Sequence, residues 1–278
     1  MGFRDLDILD AYDTDAGSPN PVDHFYIPCL ETAVRYDRLA GFFSSGSLAV
    51  AARGIAGMVA SDGRMRIVCS PYLPSRDKAL LEEVTAALLD PSAMQELLGD
   101  VLLRSLEPAE IETELVRDHV QALGWMLREG LLEIKICIPK DESGRAMSAE
   151  EIEREGLFHM KVGILIDEVG DALSFSGSIN ESRAAWEKHI EEFKVFFGWE
   201  EPCRVAQDTE KFLRYWRDRS SRMRTVDLPD AVKLRLLEVA PEDRDELGLV
   251  KKRKREVAPL EPPATVFELW DHQADAVE

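Results

Sequence analysis

One stretch of about forty residues contains the side chains that phosphate chemistry requires. His159 and Lys161 lie two apart in a predicted strand, so both side chains share one face of it. A neutral imidazole beside an ammonium can attack an electrophile at neutral pH. Further along, Gly177, Ser178 and Asn180 form a small-residue turn whose amides, hydroxyl and carboxamide can donate hydrogen bonds to an oxyanion.

Two carboxylates accompany these residues. Glu191 comes just before the next predicted strand, where it could orient an imidazole, and Asp167 closes the strand that carries Lys161. A histidine and a lysine on an alternating strand also suit a solvated face, and Glu191 also suits an ordinary surface carboxylate. The small-residue turn at this distance favours a phosphodiesterase site.

The surrounding elements alternate between strands and helices. Apolar patterns predict strands at 36–43, 64–69, 131–139, 158–167, 171–175 and 193–199. They predict helices after residue 48, three more within 75–130, and one at 208–224. The first strand-helix-strand unit favours a parallel pair, and the fold class is α/β, a mixed sheet flanked by helices. We expect a domain at 1–225 with a helical insert at 76–130, followed by a helical and linker extension at 226–278.

The motif order HxK, aspartate, GSxN and glutamate resembles the phospholipase D superfamily. The matching residues are His159, Lys161, Asp167, Gly177, Ser178, Asn180 and Glu191. The predicted elements from about 36 to 220 also fit one copy of that fold, so the resemblance covers roughly two thirds of the chain. Asp167 departs from the family pattern, because five residues separate it from Lys161 where four are usual.

The resemblance implies a phosphodiester-cleaving site built from two such motifs and needing no metal or other cofactor. One histidine would attack phosphorus to give a phosphohistidine, and the other would protonate the leaving oxygen. This chain has one motif, so the resemblance implies a homodimer in which His159 of both protomers meets at the two-fold axis. Lys161 and Asn180 would hold the non-bridging phosphate oxygens, and Ser178 would support them.

The C-terminal region suggests a larger context. A basic block at 251–255 precedes a proline-marked segment, and 267–278 resembles the short segment before the nucleotide-binding loop of superfamily 2 helicases. In that context Gln273 would read adenine, although the sequence has no GxxxxGK[ST] loop of its own. We therefore expect the N-terminal part of a helicase-nuclease fusion of the anti-phage or restriction type, with a helicase module and DNA as partners.

Composition limits the other functional classes. The 278 residues include 34 Lys and Arg against 53 Asp and Glu, a net charge of -19, so any phosphate binding must be local. No apolar run is long enough to cross a membrane, and the acidic start does not suit a signal peptide, so we expect a cytoplasmic protein without membrane contact. The cysteines lack paired zinc-site spacing and are expected to be reduced; they are Cys29, Cys69, Cys137 and Cys203.

The sequence thus favours a metal-independent endonuclease domain acting on DNA. A catalytically inactive phospholipase D-like module for dimerisation or DNA positioning is the alternative, since a single motif also suits a binding-only relative. A lipid phospholipase or synthase is least favoured, because such relatives usually carry two motifs and membrane-binding segments. Strand preference, sequence specificity and the role of the helical insert stay open.

Overall fold

A computed structural model describes residues 2–13, 19–43, 55, 57–71, 114–141, 143–144, 158, 160–178, 192–230, 233, 236–237, 240–242, 244 and 247. The strands are β1 (Ala11–Asp13), β2 (Ala33–Phe43), β3 (Arg64–Pro71), β4 (Leu132–Pro139), β5 (Val162–Asp167), β6 (Ala172–Gly177), β7 (Glu192–Phe197) and β8 (Met223–Asp227). The helices are α1 (Ile27–Thr32), α2 (Glu114–Arg128) and α3 (Pro202–Trp216), with short helical turns at Phe3–Asp5 and Val22–Tyr26. Residues 57–60 are also helical.

All eight strands form one mixed sheet in the order β1-β7-β6-β5-β2-β3-β4-β8. The pairs β2-β3 and β3-β4 are parallel, and the other neighbouring pairs are antiparallel. This confirms the predicted α/β class with a mixed sheet and the predicted parallel pairing of the first two long strands. Because β5 and β7 run against β2, β3, β4 and β6, the start of β5 lies at the same sheet edge as the ends of β2 and β6.

Helices cover both faces of the sheet. On the first face the sheet packs against α1, α2 and the helical residues between β2 and β3, around a buried core that includes Leu30, Met58 and Leu123. On the second face α3 crosses the strands and buries Phe212 and Tyr215. The central strands are therefore enclosed on both sides, and β5 has the nearly continuous apolar sequence that such a position favours.

The helix predicted at 208–224 is wrong in both its limits. The helix α3 begins earlier, at Pro202, and ends at Trp216, after which Asp218 takes a left-handed conformation with φ of 52°. The chain then enters β8, whose Met223 pairs with Pro139 of β4. A left-handed residue cannot continue an α-helix, and β8 gains its strand geometry from pairing with β4.

The folded unit continues past residue 225. Strand β8 extends to Asp227, and Leu228, Leu236 and Leu247 belong to the buried core of the first face. The part of the predicted insert from 76 to 113 lies outside the described residues, while its last predicted helix is present as α2. Cys29, Cys69 and Cys137 are buried free cysteines, and Cys203 is an exposed one.

Candidate active site

The antiparallel pairing of β5 with β6 brings Lys161 of the first predicted motif beside Gly177 of the second. Val162 pairs with Ser176, and the Gly177 amide donates a hydrogen bond of 3.4 Å to the Lys161 carbonyl. Lys161 therefore lies immediately before β5, one residue outside the strand in which it was predicted. The strand β6 reaches Gly177, two residues beyond the predicted strand end at residue 175.

Ser178 joins the end of β6 to the start of β7. Its amide donates to the Glu192 carbonyl at 2.9 Å, and its hydroxyl Oγ accepts from the Glu192 amide at 3.1 Å. Oγ also lies 3.4 Å from the Glu192 carbonyl oxygen, to which it donates. These contacts hold the Gly177 and Ser178 end of β6 beside the residue that follows Glu191 in sequence.

Gly177 is the residue that lets these strands approach so closely. A Cβ atom built at this position would collide with the Glu192 carbonyl oxygen and with the backbone of Phe193. Because Gly177 has no side chain, β7 can lie close beside the end of β6, and Ser178 can form its hydrogen bonds with Glu192.

The base of the site rests on a cluster of aromatic rings. Phe175 of β6 packs against Phe25, Tyr26 and Phe193, with ring centroids 5.1 to 5.5 Å apart. A side chain at Gly163 would collide with the Phe175 ring, so this glycine in β5 makes room for it. The aromatic cluster thereby fixes β5, β6 and β7 against one another and keeps the site residues in register.

Two buried cationic side chains lie in β2 and immediately before β5, near the sheet edge at which β5 begins. Lys161 is 6% exposed and Arg38 of β2 is 1% exposed. Arg38 pairs in register with Gly163, two residues from Lys161, which places the two Cα atoms roughly 8 Å apart. The Arg38 guanidinium also lies 5.0 Å above the Phe175 ring. Sequence reasoning missed Arg38, which is one of three charged residues in β2 and has no distinguishing local pattern.

Side chains on either side of His159 are anchored on the second face of the sheet. Phe158 is buried and meets the Tyr215 ring edge-on at 5.1 Å, and Met160 packs against the same core cluster. Burial raises the pKa of Tyr215, which keeps its hydroxyl neutral. His159 itself lies outside the described residues, as do the predicted site residues Asn180, Glu191 and Gln273.

Asp167 lies at the opposite end of β5 from Lys161, and six residues of strand place the two Cα atoms roughly 20 Å apart. Its carboxylate accepts hydrogen bonds from three backbone amides, those of Phe3 at 2.8 Å, Val169 at 3.1 Å and Asp171 at 2.8 Å. These bonds close the turn between β5 and β6 and attach the N-terminal segment to it. The geometry therefore gives Asp167 a structural role, away from the sheet edge at which Lys161 and Ser178 lie.

A second concave feature lies at the opposite edge of the sheet. It is a cavity of about 220 Å³ whose lining includes Arg35, Arg64, Arg66 and Glu133. Arg35 and Arg66 both bind the buried Asp37 carboxylate, at 2.6 and 2.7 Å, so these two guanidinium groups already have a counter-charge. In the described ranges, no group of three His, Cys, Asp or Glu side chains is arranged to hold a metal ion.

No helix in the described part of the chain is long and apolar enough to cross a membrane.

Comparisons with known proteins bear on the arrangement of the chain. A scan against protein families and a search of curated proteins both find no match. Among solved structures, Nuc, a phospholipase D family member from Salmonella typhimurium, is 13% identical with a TM-score of 0.38, and the alignment covers 78% of this chain and 96% of that one. NucT from Helicobacter pylori gives 13% identity and a TM-score of 0.38, covering 72% and 87%.

A third solved structure is larger. Phosphatidylserine synthase from Haemophilus influenzae is 12% identical with a TM-score of 0.44, and the alignment covers 82% of this chain but 44% of that one. With TM-scores below 0.5, none of the three superpositions defines a family or an activity for this chain. Its chemistry is therefore inferred from the residues of the site.

Proposed function

We propose that this chain is a metal-independent phosphodiesterase that cleaves DNA through a phosphohistidine intermediate. The observation that carries the proposal is the register of β5 and β6, which sets Lys161 directly beside Gly177 and Ser178. Lys161 and Gly177, which lie sixteen residues apart in sequence, are therefore neighbours at one end of the sheet. A buried ammonium beside the segment that leads into Asn180 suits a phosphate group, because a charged donor and a carboxamide can both bind its oxygens.

Each motif residue has a role in the proposed reaction. An imidazole nitrogen of His159 attacks phosphorus, forming an N–P bond while the P–O bond to the leaving group breaks. A second His159 protonates the departing oxygen and then takes a proton from the water that cleaves the N–P bond. Lys161 and Asn180 hold the non-bridging oxygens, and Glu191 orients an imidazole.

The burial of Lys161 supports its assigned role. An ammonium that is 6% exposed acts in a medium of lower dielectric constant than water, so its attraction for a phosphate oxygen is stronger than that of a surface lysine. The neighbouring guanidinium of Arg38 adds positive charge to the same region. Together they favour the additional negative charge of a pentacoordinate phosphorus transition state.

A single motif requires a second copy of the chain for the second histidine. We propose a homodimer with the two His159 side chains at its two-fold axis, delivered to DNA by a helicase module in the same protein or a partner. The alternative, an inactive module for dimerisation or DNA positioning, would use the same fold without the chemistry.

The test is hydrolysis of an activated phosphodiester and of single- and double-stranded DNA in EDTA. Wild type and His159→Ala are purified in parallel, and their masses in solution are measured. We expect a dimer whose activity resists EDTA and falls by at least about a thousandfold in His159→Ala. EDTA-sensitive cleavage, or equal activity of the two proteins, would contradict the mechanism. DNA binding by both without turnover or phosphate labelling would instead favour the inactive module.

A further inference from the structure

The segment 214–224 concentrates positive charge in an acidic chain. It contains five arginines in eleven residues against one acid, Asp218, while the whole chain has a net charge of -19. All five side chains are exposed; they are Arg214, Arg217, Arg219, Arg222 and Arg224. In a chain with 53 acidic residues, such a run produces a local field opposite to that of the rest of the surface.

Most of these charges are not neutralised by nearby carboxylates. Among the described residues, none forms an ion pair with Arg214, Arg217, Arg219 or Arg224. The carboxylate of Asp218 is turned towards the backbone and accepts the Thr225 amide at 2.8 Å. These four guanidinium groups therefore face solvent with their donors available to an external anion.

Hydrogen bonds fix the shape of this segment. The Ser220 hydroxyl accepts the amides of Arg222 at 3.3 Å and Met223 at 3.2 Å. The Arg222 carbonyl accepts the Lys140 amide at 2.8 Å, which attaches the segment to the end of β4. A surface whose backbone is already ordered loses less entropy when a ligand binds it.

The segment lies at the same edge of the sheet as the candidate site. Met223, the first residue of β8, pairs with Pro139, the last residue of β4, so Arg222 lies immediately before β8 and beside the end of β4. Four strand spacings separate β5 from β8, and with the offset along the strands Arg222 lies roughly 20 to 25 Å from Lys161. That span corresponds to about six or seven phosphates along one strand of duplex DNA.

Stabilisation of the helix end explains only part of the pattern. Arg214 lies in the last turn of α3, where a cation interacts favourably with the helix dipole. Helix α3 ends at Trp216, so the other four arginines lie beyond it. These four arginines all lie in the stretch that leads from the end of α3 into β8.

We infer that segment 214–224 binds the sugar-phosphate backbone of the nucleic acid on one side of the bond that is cut. The inference rests on the proposed function and narrows it, because it requires a polymeric phosphodiester that extends at least about 20 Å from Lys161. Contacts to phosphates fix position without reading bases, so binding here is independent of sequence.

The test compares two double variants of the full chain that each remove two positive charges. Arg217→Gln with Arg219→Gln changes the segment. Arg64→Gln with Arg204→Gln is the matched control, because Arg64 lies at the opposite sheet edge and Arg204 lies in the first turn of α3. The measurements are binding of a fluorescent 30-nucleotide DNA as a function of salt, and hydrolysis of bis(p-nitrophenyl) phosphate, which is too small to reach the segment.

We expect the segment variant to bind DNA about tenfold or more weakly at low salt and to lower the slope of log affinity against log salt by about 1 to 2. The control variant should bind as wild type does, and both variants should hydrolyse the small ester normally. Equal DNA binding by the two variants, or equal loss in both, would overturn the inference. If wild type does not hydrolyse the small ester, the proposed function fails, while the difference in DNA binding still decides the role of the segment.

Discussion

Replacing Ser178 with alanine tests whether this hydroxyl acts on the substrate or on the protein. In the structure Oγ contacts Glu192 through its amide at 3.1 Å and its carbonyl at 3.4 Å. The backbone hydrogen bond from the Ser178 amide to the Glu192 carbonyl remains in the variant, so β6 and β7 stay joined. Alanine therefore removes one tie between the GSxN segment and the start of β7 without breaking the sheet.

The expected loss of stability in Ser178→Ala follows from the removal of one neutral side-chain hydrogen bond. Such a bond contributes about 1 kcal/mol net, and Ser178 is exposed, so we expect a loss of roughly 0.5 to 1 kcal/mol in the free energy of unfolding. If that whole amount orients the site, the rate of hydrolysis falls by about two- to fivefold. A hydroxyl that donates directly to the transition state would cost about a hundredfold or more.

The assay measures kcat and KM for an activated phosphodiester together with urea unfolding. Ser176→Ala is the matched control, because Ser176 lies two residues earlier in β6 and should leave both quantities unchanged. A loss of a hundredfold or more in kcat with an unchanged free energy of unfolding would refute the reasoning and place Oγ on the substrate. A drop in stability without any change in rate would show that the tie to β7 does not orient the site.

Three further predictions concern groups away from the site. Asp167→Asn should lower the free energy of unfolding by about 1 to 3 kcal/mol, because the amide nitrogen that replaces one carboxylate oxygen cannot accept a hydrogen bond from a backbone amide such as that of Phe3. The kcat of the folded enzyme should stay within about twofold. A large loss of kcat would instead show a catalytic role for Asp167. Ellman's reagent at pH 8 should titrate only the exposed Cys203 before unfolding, because the other three thiols, including Cys69, are buried. Burial also raises the pKa of Cys137 to about 12 and that of Cys29 well above its usual range. The stability that comes from neutral Cys137 is complete below pH 9 and falls as pH rises towards 12, so the melting temperature should decrease across that range, and a flat profile would contradict this.

The sequence predicts the strands of the site because each has a strong local pattern. The run that contains β5 is almost continuously apolar, as a strand enclosed on both faces must be. The fixed separation of the HxK and GSxN motifs then equals the length of one hairpin, β5 to β6. The meeting of Lys161 and Gly177 could therefore be anticipated from local information alone.

Features that depend on distant partners could not be anticipated. Strand β8 is five residues long and contains an exposed arginine, and only its pairing with β4 makes it a strand. The role of Asp167 depends on an amide 164 residues earlier in the chain, that of Phe3. Arg38 is one of three charged residues in β2. Its burial and its contact with the Phe175 ring follow from the pairing of β2 with β5.

The net charge of -19 and the arginine segment act over different distances. Repulsion between the acidic surface and DNA extends only about 10 Å at 0.1 M salt, so it governs the approach of the two molecules. The proposed contacts between phosphates and the arginines of 214–224 would act at the surface itself and would also weaken with salt. Added salt thus removes a barrier to encounter while it reduces the affinity of the bound state. The proposed contacts would therefore let an acidic chain hold a polyanion along one edge of its sheet, and the proposed helicase module would help by bringing the DNA to that edge.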